Sequence, residues 1–285
     1  MIRQRRPVKR NIGIERHLKK HPSAETILQD SGEDVLRFVA LGGLEEIGRN
    51  MSFFEYQNEI VLVDMGIQFP EEETPGIDYI IPNVSYLEKK KENVKALIIT
   101  HGHYDHIGAI PYLIGKVGNP VIYTSELSRQ IIEKRQTDFP NAPKLNFQVY
   151  KPGDIFEISK YFKAEFFGVF HNIPESLGFI LNTPVGKMVS LGDFKLDYDM
   201  NGDPVAIPEY ERVGKQKIHT LFLDSTNALE DGRSVSERDV EKHLEELFRK
   251  APGRIITATF ASLLTRIAEI VKIVEKLNRK IALIG

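Results

Sequence analysis

Ile98-Ile99-Thr100-His101-Gly102-His103-Tyr104-Asp105-His106-Ile107-Gly108 sets three imidazoles and a carboxylate within six residues, directly behind an apolar, β-branched run. That run reads as a buried strand. Where the strand ends, His101 and His103 point to one side, because side chains alternate with a period of two. Asp105 and His106 follow as the chain turns, and Gly108 gives the backbone freedom to enter a helix. One ion can then be offered two nitrogens, and a second ion an oxygen and a nitrogen. Imidazole and carboxylate together favour zinc, manganese or iron over calcium. A lone histidine near a loop reads as a surface residue. A His-x-His-x-Asp-His cluster behind a buried strand reads as a metal site.

Other stretches extend the pattern. Gly168-Val169-Phe170-His171-Asn172-Ile173-Pro174 and Ser190-Leu191-Gly192-Asp193-Phe194-Lys195 each offer one more ligand at the end of an apolar strand. Upstream, Ile60-Val61-Leu62-Val63-Asp64-Met65-Gly66 carries an early aspartate, and Leu221-Phe222-Leu223-Asp224-Ser225-Thr226-Asn227 carries a late one. With Leu41-Gly42-Gly43, Glu46-Ile47-Gly48, Gly76-Ile77-Asp78 and Ala258-Thr259-Phe260-Ala261-Ser262, the chain from about residue 33 onward resembles the metallo-β-lactamase fold. Within that fold it is similar to the β-CASP nucleases of the ribonuclease J family.

The resemblance implies an α/β (α+β) fold, an αββα sandwich. Residues 33–220 would form the N-terminal part of a metallo-β-lactamase domain and residues 221–285 the start of an inserted β-CASP domain. It implies two zinc ions, or manganese: one on His101, His103 and His171, the other on Asp105, His106 and a histidine located further along the family's sequence. Asp193 would bridge them and Asp64 would brace the metal loop from behind. The nucleophile would be a bridging water with its pKa lowered towards about 7. Asp105, Asp193 and Asp224 are the candidate catalytic acids, with Asp224 aiding protonation of the leaving group. Phe260, Ala261 and Ser262 would hold RNA at a strand-to-helix turn, where backbone N–H groups favour phosphate. Without the resemblance, Ser262 reads as an ordinary N-cap. The Gly76 carbonyl and Asp78 match a structural calcium position of some members.

In function the resemblance implies 5′-to-3′ exonucleolytic and endonucleolytic cutting of RNA carrying a 5′-monophosphate, as in rRNA processing and mRNA decay in the cytoplasm. It also implies homodimers, RNA-decay partners, and weak or absent activity for this stretch of the family's sequence taken alone. Two other readings compete: a thioester or lactam hydrolase of the same fold, and a non-catalytic RNA-binding scaffold. The sequence departs from the family at Glu45, Asn83, Asn172, Glu175 and Leu263-Leu264-Thr265. The ligand residues themselves are intact.

Composition sets bounds. The 285 residues suffice for one large domain or two smaller ones, and 41% hydrophobic with 27% charged residues is ordinary for a globular protein. A formal net charge of −2 gives no global attraction for nucleic acid, so any RNA groove must be a local basic patch. With no cysteine, disulfides and thiolate zinc sites are excluded. No apolar run approaches the roughly 20 residues that span a bilayer. Residues 1–32 read differently: Arg3, Arg5, Arg6, Lys9, Arg10, Arg16, Lys19 and Lys20 face only Glu15 in the first twenty residues. This predicts a disordered basic tail, either touching RNA phosphates non-specifically or simply solvated.

Patterning predicts strands over Val35–Leu41, Met51–Tyr56, Glu59–Asp64, Val94–Thr100, Val121–Thr124, Leu145–Tyr150 and Ala164–Phe170. A hairpin is expected from Leu177–Asn182 and Lys187–Leu191, and a helix over Ala109–Val117. Further along, Ser236 to Asp239 resembles a capping box ahead of a helix with Val240, Leu244, Leu247 and Phe248 on one face. A βαβ unit is then expected: strand Arg254–Phe260, helix Leu263–Leu277, strand Lys280–Ile284. His219 and His243 carry no ligand context, and His243 belongs on an exposed helix face.

Overall fold

The structure is a computed structural model, and it describes residues 34–70, 75–198, 205, 208–232 and 234–284. The basic stretch 1–32 lies outside the described residues.

Two sheets carry the fold. The first contains β1 (Arg37–Gly42), β2 (Met51–Tyr56), β3 (Glu59–Val63), β4 (Val94–Ile98), β5 (Val121–Thr124) and β6 (Phe147–Val149), in that spatial order. Strands β1 to β3 run antiparallel, β2 and β3 across the two-residue turn Gln57-Asn58, while β3 to β6 are parallel. Their crossovers hold α1 (Ser85–Lys89), α2 (Tyr104–Ile107), α3 (Ile110–Leu113) and α4 (Glu126–Gln136). The second sheet follows with β7 (Ile155–Glu157), β8 (Lys163–Gly168), β9 (Leu177–Thr183), β10 (Gly186–Ser190) and β11 (Ile218–Phe222), where α5 (Pro208–Gly214) precedes β11. The expected hairpin is β9–β10, antiparallel, with Thr183 opposite Gly186.

Strand alternation sorts side chains into layers. On β2 and β3, Met51, Phe53, Ile60 and Leu62 face the helices, while Phe54, Tyr56, Val61 and Val63 face the other sheet. Phe166, Leu177, Phe179 and Leu181 meet them from β8 and β9. On the outer face of the second sheet, Phe167, Ile180 and Val189 pack against Val213 of α5. These layers form the expected αββα sandwich. Strands buried on both faces read as unbroken apolar runs. That is why β3 and β4 were legible in the sequence.

Several expectations are corrected. Ala109–Val117 is one helical turn at α3 followed by turns, with Pro111 inside its first turn. Helix α4 is not among the expected elements, although Ser125 caps it by accepting a hydrogen bond from Ser128 N and Glu126, Arg129 and Glu133 pair along its surface. Strand β7 and helix α5 are likewise additional to the expected elements. Beyond β11, the Ser236 cap accepts from Asp239 N at 3.1 Å and starts α6 (Glu237–Lys250), which packs on α7 (Leu264–Lys276) through Phe248, Ile270, Ile273 and Val274.

Arg254–Phe260 and Lys280–Ile284 are not strands. A strand exists only when a neighbour completes its ladder, and no ladder reaches either segment among the described residues. Ile256 and Ile284 are accordingly 90% and 98% exposed.

One charge is built into the helix-facing layer. Glu55 on β2 is fully buried, where Lys90 Nζ donates to it at 2.7 Å and Tyr86 Oη at 2.6 Å. Removing one partner of a buried pair leaves an uncompensated charge. Lys90→Ala should therefore lower the unfolding free energy by roughly 3 kcal/mol in urea denaturation. Exposed Lys116→Ala, which breaks a 3.4 Å surface pair with Glu88, should change it by less than about 0.5 kcal/mol.

Candidate metal centre

The centre is built from the ends of β3, β4 and β8 and the turn after β10. Strand β3 ends in Asp64, whose φ of 57° is left-handed, a conformation aspartate tolerates better than most residues. The turn aims its carboxylate at the end of β4. Oδ1 accepts from Thr100 N at 2.9 Å, and Thr100 Oγ1 donates to Oδ2 at 3.0 Å. Oδ2 also lies 2.8 Å from His106 Nδ1. A carboxylate only accepts, so Nδ1 of His106 carries a proton and Nε2 faces the centre. With its hydrogen committed to Asp64, Thr100 Oγ1 can accept from His101 Nδ1, 3.0 Å away. That leaves His101 Nε2 facing inward too. Asp64 thus orients two rings, one directly and one through Thr100.

His101 and His103 do share a side, with Nε2 of the first 3.0 Å from Nδ1 of the second. The loop after β8 brings His171 Nε2 to 3.3 Å from His103 Nδ1. The turn after β10 is tied to that loop by Lys195 N donating to Phe170 O at 2.7 Å, and it presents Asp193. Asp193 Oδ2 lies 3.9 Å from His101 Nε2 and 3.8 Å from His171 Nε2. Its other oxygen, Oδ1, lies 3.4 Å from His106 Nε2, and Asp105 Oδ2 is 3.4 Å from that same nitrogen.

A tetrahedral zinc ion with Zn–N bonds of about 2.0–2.1 Å needs neighbouring donors about 3.3 Å apart. The three-histidine edges of 3.0 and 3.3 Å fit it. Among the described residues, two groups of donors lie close enough to hold an ion: His101, His103 and His171, and His101, His106 and Asp193. His101 thus stands near both, and Asp105 borders the second through His106.

Two glycines make this possible by having no side chain. A Cβ on Gly66 would sit 1.5 Å from the Asp105 carbonyl oxygen, so the metal loop can lie on β3's continuation only there. Gly108 has φ −65°, so the conformational freedom expected of it is not used. Its bare Cα instead admits the Tyr104 carbonyl, 2.5 Å from where a Cβ would be.

Asn50 is a further residue of the centre, beyond those expected from the sequence. Its Nδ2 lies 3.3 Å from Asp105 Oδ2 and 3.1 Å from His106 Nε2. The signal stood two residues beyond the Glu46-Ile47-Gly48 stretch, but no spacing rule links a polar residue after β1 to a loop 55 positions later.

The remaining candidates are placed differently. Asp224 is half-buried, accepts from Thr226 N at 2.8 Å, and lies close enough for its charge to act on His171. Phe260 is 81% exposed, and Ala261 and Ser262 form a turn. The N-cap of α7 is Leu263, not Ser262, and it makes no side-chain cap. Thr265 Oγ1 donates to Asn172 O at 3.4 Å, which sets the start of α7 against the His171 loop. Glu237 joins Lys195 and Arg266, tying α6 and α7 to the Asp193 turn. Gly76 and Asp78 lie on an exposed stretch, and among the described residues no other histidine or acid joins Asp78 in a metal-holding group. His243 is exposed, as expected, and so is His219.

Burial and mutual repulsion prepare these rings as ligands. Burial, reinforced by the charges of His106, His171 and His103, holds His101 well below its ordinary 6.5. Burial also lowers His103, and it pushes His171 down to about 4. For His106 burial acts downward as well, but Asp64, Asp105 and Asp193 outweigh it and hold the value well above 6.5. Burial raises Asp105 and Asp193, yet contact with His106 brings both below the usual carboxylate value.

With this geometry established, comparison with known proteins identifies the lineage. The family model described as the metallo-beta-lactamase superfamily matches residues 45–196, just over half of the chain. The chain belongs to the metallo-β-lactamase superfamily. The matched span contains Asp64 and all six candidate zinc ligands. The chain is also similar to ribonuclease J of Mycoplasma pneumoniae, 38% identical over 89% of this chain and 44% of the relative. Ribonuclease J of Thermus thermophilus is 35% identical over 90% of this chain and 46% of the relative. That of Corynebacterium glutamicum is 39% identical over 88% and 34%. The chain therefore spans less than half the length of these relatives. A solved structure, a protein of unknown function from Enterococcus faecalis V583, shares the fold at a TM-score of 0.64 with 18% identity, covering 82% of this chain and 62% of that one.

In this superfamily member, His103→Ala should abolish retention of an ion through dialysis, measured by elemental analysis, while His243→Ala leaves it unchanged. The proton competes for the same lone pairs, and His171 takes one up only near pH 4 instead of 6.5. Retention should hold from pH 7 to about 5.5 and collapse on approach to about 4. Without ion, stability falls in the same direction. The unfolded chain binds protons below about 6.5 that folded His171 refuses until about 4, so this ring destabilises the fold progressively as pH falls through that window.

Proposed function

We propose that this chain belongs to a metal-dependent ribonuclease that hydrolyses RNA phosphodiester bonds at two ions. One would be held by His101, His103 and His171 and the other by Asp105 and His106, with Asp193 shared. The observation that carries the two-ion reading is the split of Asp193: Oδ2 faces His101 and His171 while Oδ1 faces His106. The likeness to proteins named ribonuclease J supports RNA as the substrate. Zinc fits the three-histidine set, and manganese is the alternative for the more oxygen-rich one.

Ions bound there would neutralise charge on the phosphate in the transition state and lower the pKa of an attacking water. The chain's own residues prepare that chemistry. Asp64 and Thr100 hold His101 and His106 in the tautomers that face inward. The depressed pKa values of His101, His103 and His171 keep their lone pairs available at neutral pH. Asp224, whose charge reaches His171, would aid protonation of the leaving oxygen. The turn at Phe260, Ala261 and Ser262 would meet the RNA chain, since α7 begins against the His171 loop and its N-terminal end favours phosphate. The ribonuclease J likeness supports 5′-to-3′ exonucleolytic and endonucleolytic cutting and a preference for a 5′-monophosphate. We assign residues 33–220 to the lactamase-type domain and the remainder to the start of a β-CASP domain.

The relatives are more than twice the matched length, so the activity is proposed for the natural gene product that contains this chain. The present 285 residues alone should cut slowly, because the Asp105–His106 position has fewer donors than the three-histidine one. The test is single-turnover cleavage of 5′-labelled, 5′-monophosphorylated RNA with manganese or zinc. Release of nucleoside 5′-monophosphates is expected, and Asp105→Ala should reduce it by at least about 10²-fold. Intact RNA together with hydrolysis of a thioester or a β-lactam would sink the nuclease reading.

A further inference from the structure

Asn50 lies between the turn after β1 and the start of β2, and its backbone is pinned at both ends. Its N–H donates to Asp105 O at 3.0 Å, and its carbonyl accepts from Gly66 N at 2.9 Å. These bonds dock the β1–β2 turn onto the metal loop at the point where Gly66 admits the Asp105 backbone. The side chain adds something the docking does not require. Its Nδ2 stands 3.3 Å from Asp105 Oδ2 and 3.1 Å from His106 Nε2. Those two atoms are themselves only 3.4 Å apart, the edge expected of two donors to one ion.

The carboxamide orientation follows from its neighbours. Asp105 Oδ2 can only accept, so the NH₂ end, not the oxygen, must face it. An ion that takes Asp105 Oδ2 leaves this bond in place, because a carboxylate oxygen has a second lone pair.

We propose that Asn50 is a positioning residue for the Asp105–His106 metal position, its amide aiming Asp105 Oδ2 at the ion. This deepens the two-ion reading above and rests on it. The effect is local. Among the described contacts Asn50 touches neither His103 nor His171, so the three-histidine position should not feel its removal. Partners of this kind, which hold ligands without touching the metal, typically alter affinity by about 10- to 100-fold.

The experiment is titration of the metal-free chain with Co²⁺ alone, followed by its visible d–d absorption, for wild type, Asn50→Ala and Asn50→Gln. Folding of each is checked by circular dichroism. Both substitutions keep the backbone bonds, and glutamine keeps an amide donor on a longer stem. The expected result is two successive Co²⁺ equivalents in wild type. Asn50→Ala should weaken the second by about tenfold or more with the first unchanged, and Asn50→Gln should lose less. Unchanged binding of the second equivalent in Asn50→Ala overturns the proposal. So does equal weakening of both equivalents, or equal loss in the alanine and glutamine variants, since these would reduce Asn50 to packing. A wild-type chain that takes up a single equivalent even at millimolar Co²⁺ overturns the two-ion reading itself.

Discussion

The metal centre depends on one carboxylate. Asp64 accepts hydrogen bonds from the Thr100 N–H and hydroxyl and meets His106 Nδ1, all from a left-handed residue at the end of β3. A buried anion is costly unless several donors satisfy it, and here three do. In return the anion orients His101 and His106 so that both present Nε2 to the same space. Without it, either ring could turn its protonated nitrogen inward, and the ligand set would be the wrong one. The parallel pairing of β3 with β4 makes this contact possible, because it brings the ends of both strands to one edge of the sheet.

Around that anchor the centre balances opposing electrostatic demands. Four imidazoles are linked by ring contacts, with His101 touching the other three, which disfavours protonating them together. Burial pushes in the same direction for His101, His103 and His171. His106 differs only in its company, since three acids surround it. Such an arrangement of crowded lone pairs and unneutralised carboxylates suits a site that receives positive charge from outside the chain.

The helical part beyond β11 is attached to this edge rather than to the core. Thr265 reaches the backbone beside His171, and Glu237 joins Lys195 near Asp193 to Arg266. Both links end on loops that carry candidate ligands. Phe222 meanwhile packs with Phe38 and Phe54, closing the end of the sandwich where β11 leaves for Asp224. The chain's later residues therefore approach the centre along the two turns that hold His171 and Asp193.

The sequence alone determined the local features. It specified the buried runs of β2 to β4, the β9–β10 hairpin, the Ser236 cap and the ligand-bearing strand ends, because each depends on periodicity or on a few neighbouring residues. It was misleading where a local pattern needs a distant partner. Arg254–Phe260 and Lys280–Ile284 have strand composition, but a strand forms only against another strand, and none lies beside them among the described residues. Only the tertiary structure decided which oxygen of Asp193 faces which ring, which nitrogen each histidine presents, and that Asn50 reaches Asp105 across 55 positions. Those outcomes depend on how strand ends converge in three dimensions, to within tenths of an ångström, and residue spacing along a chain does not encode such distances.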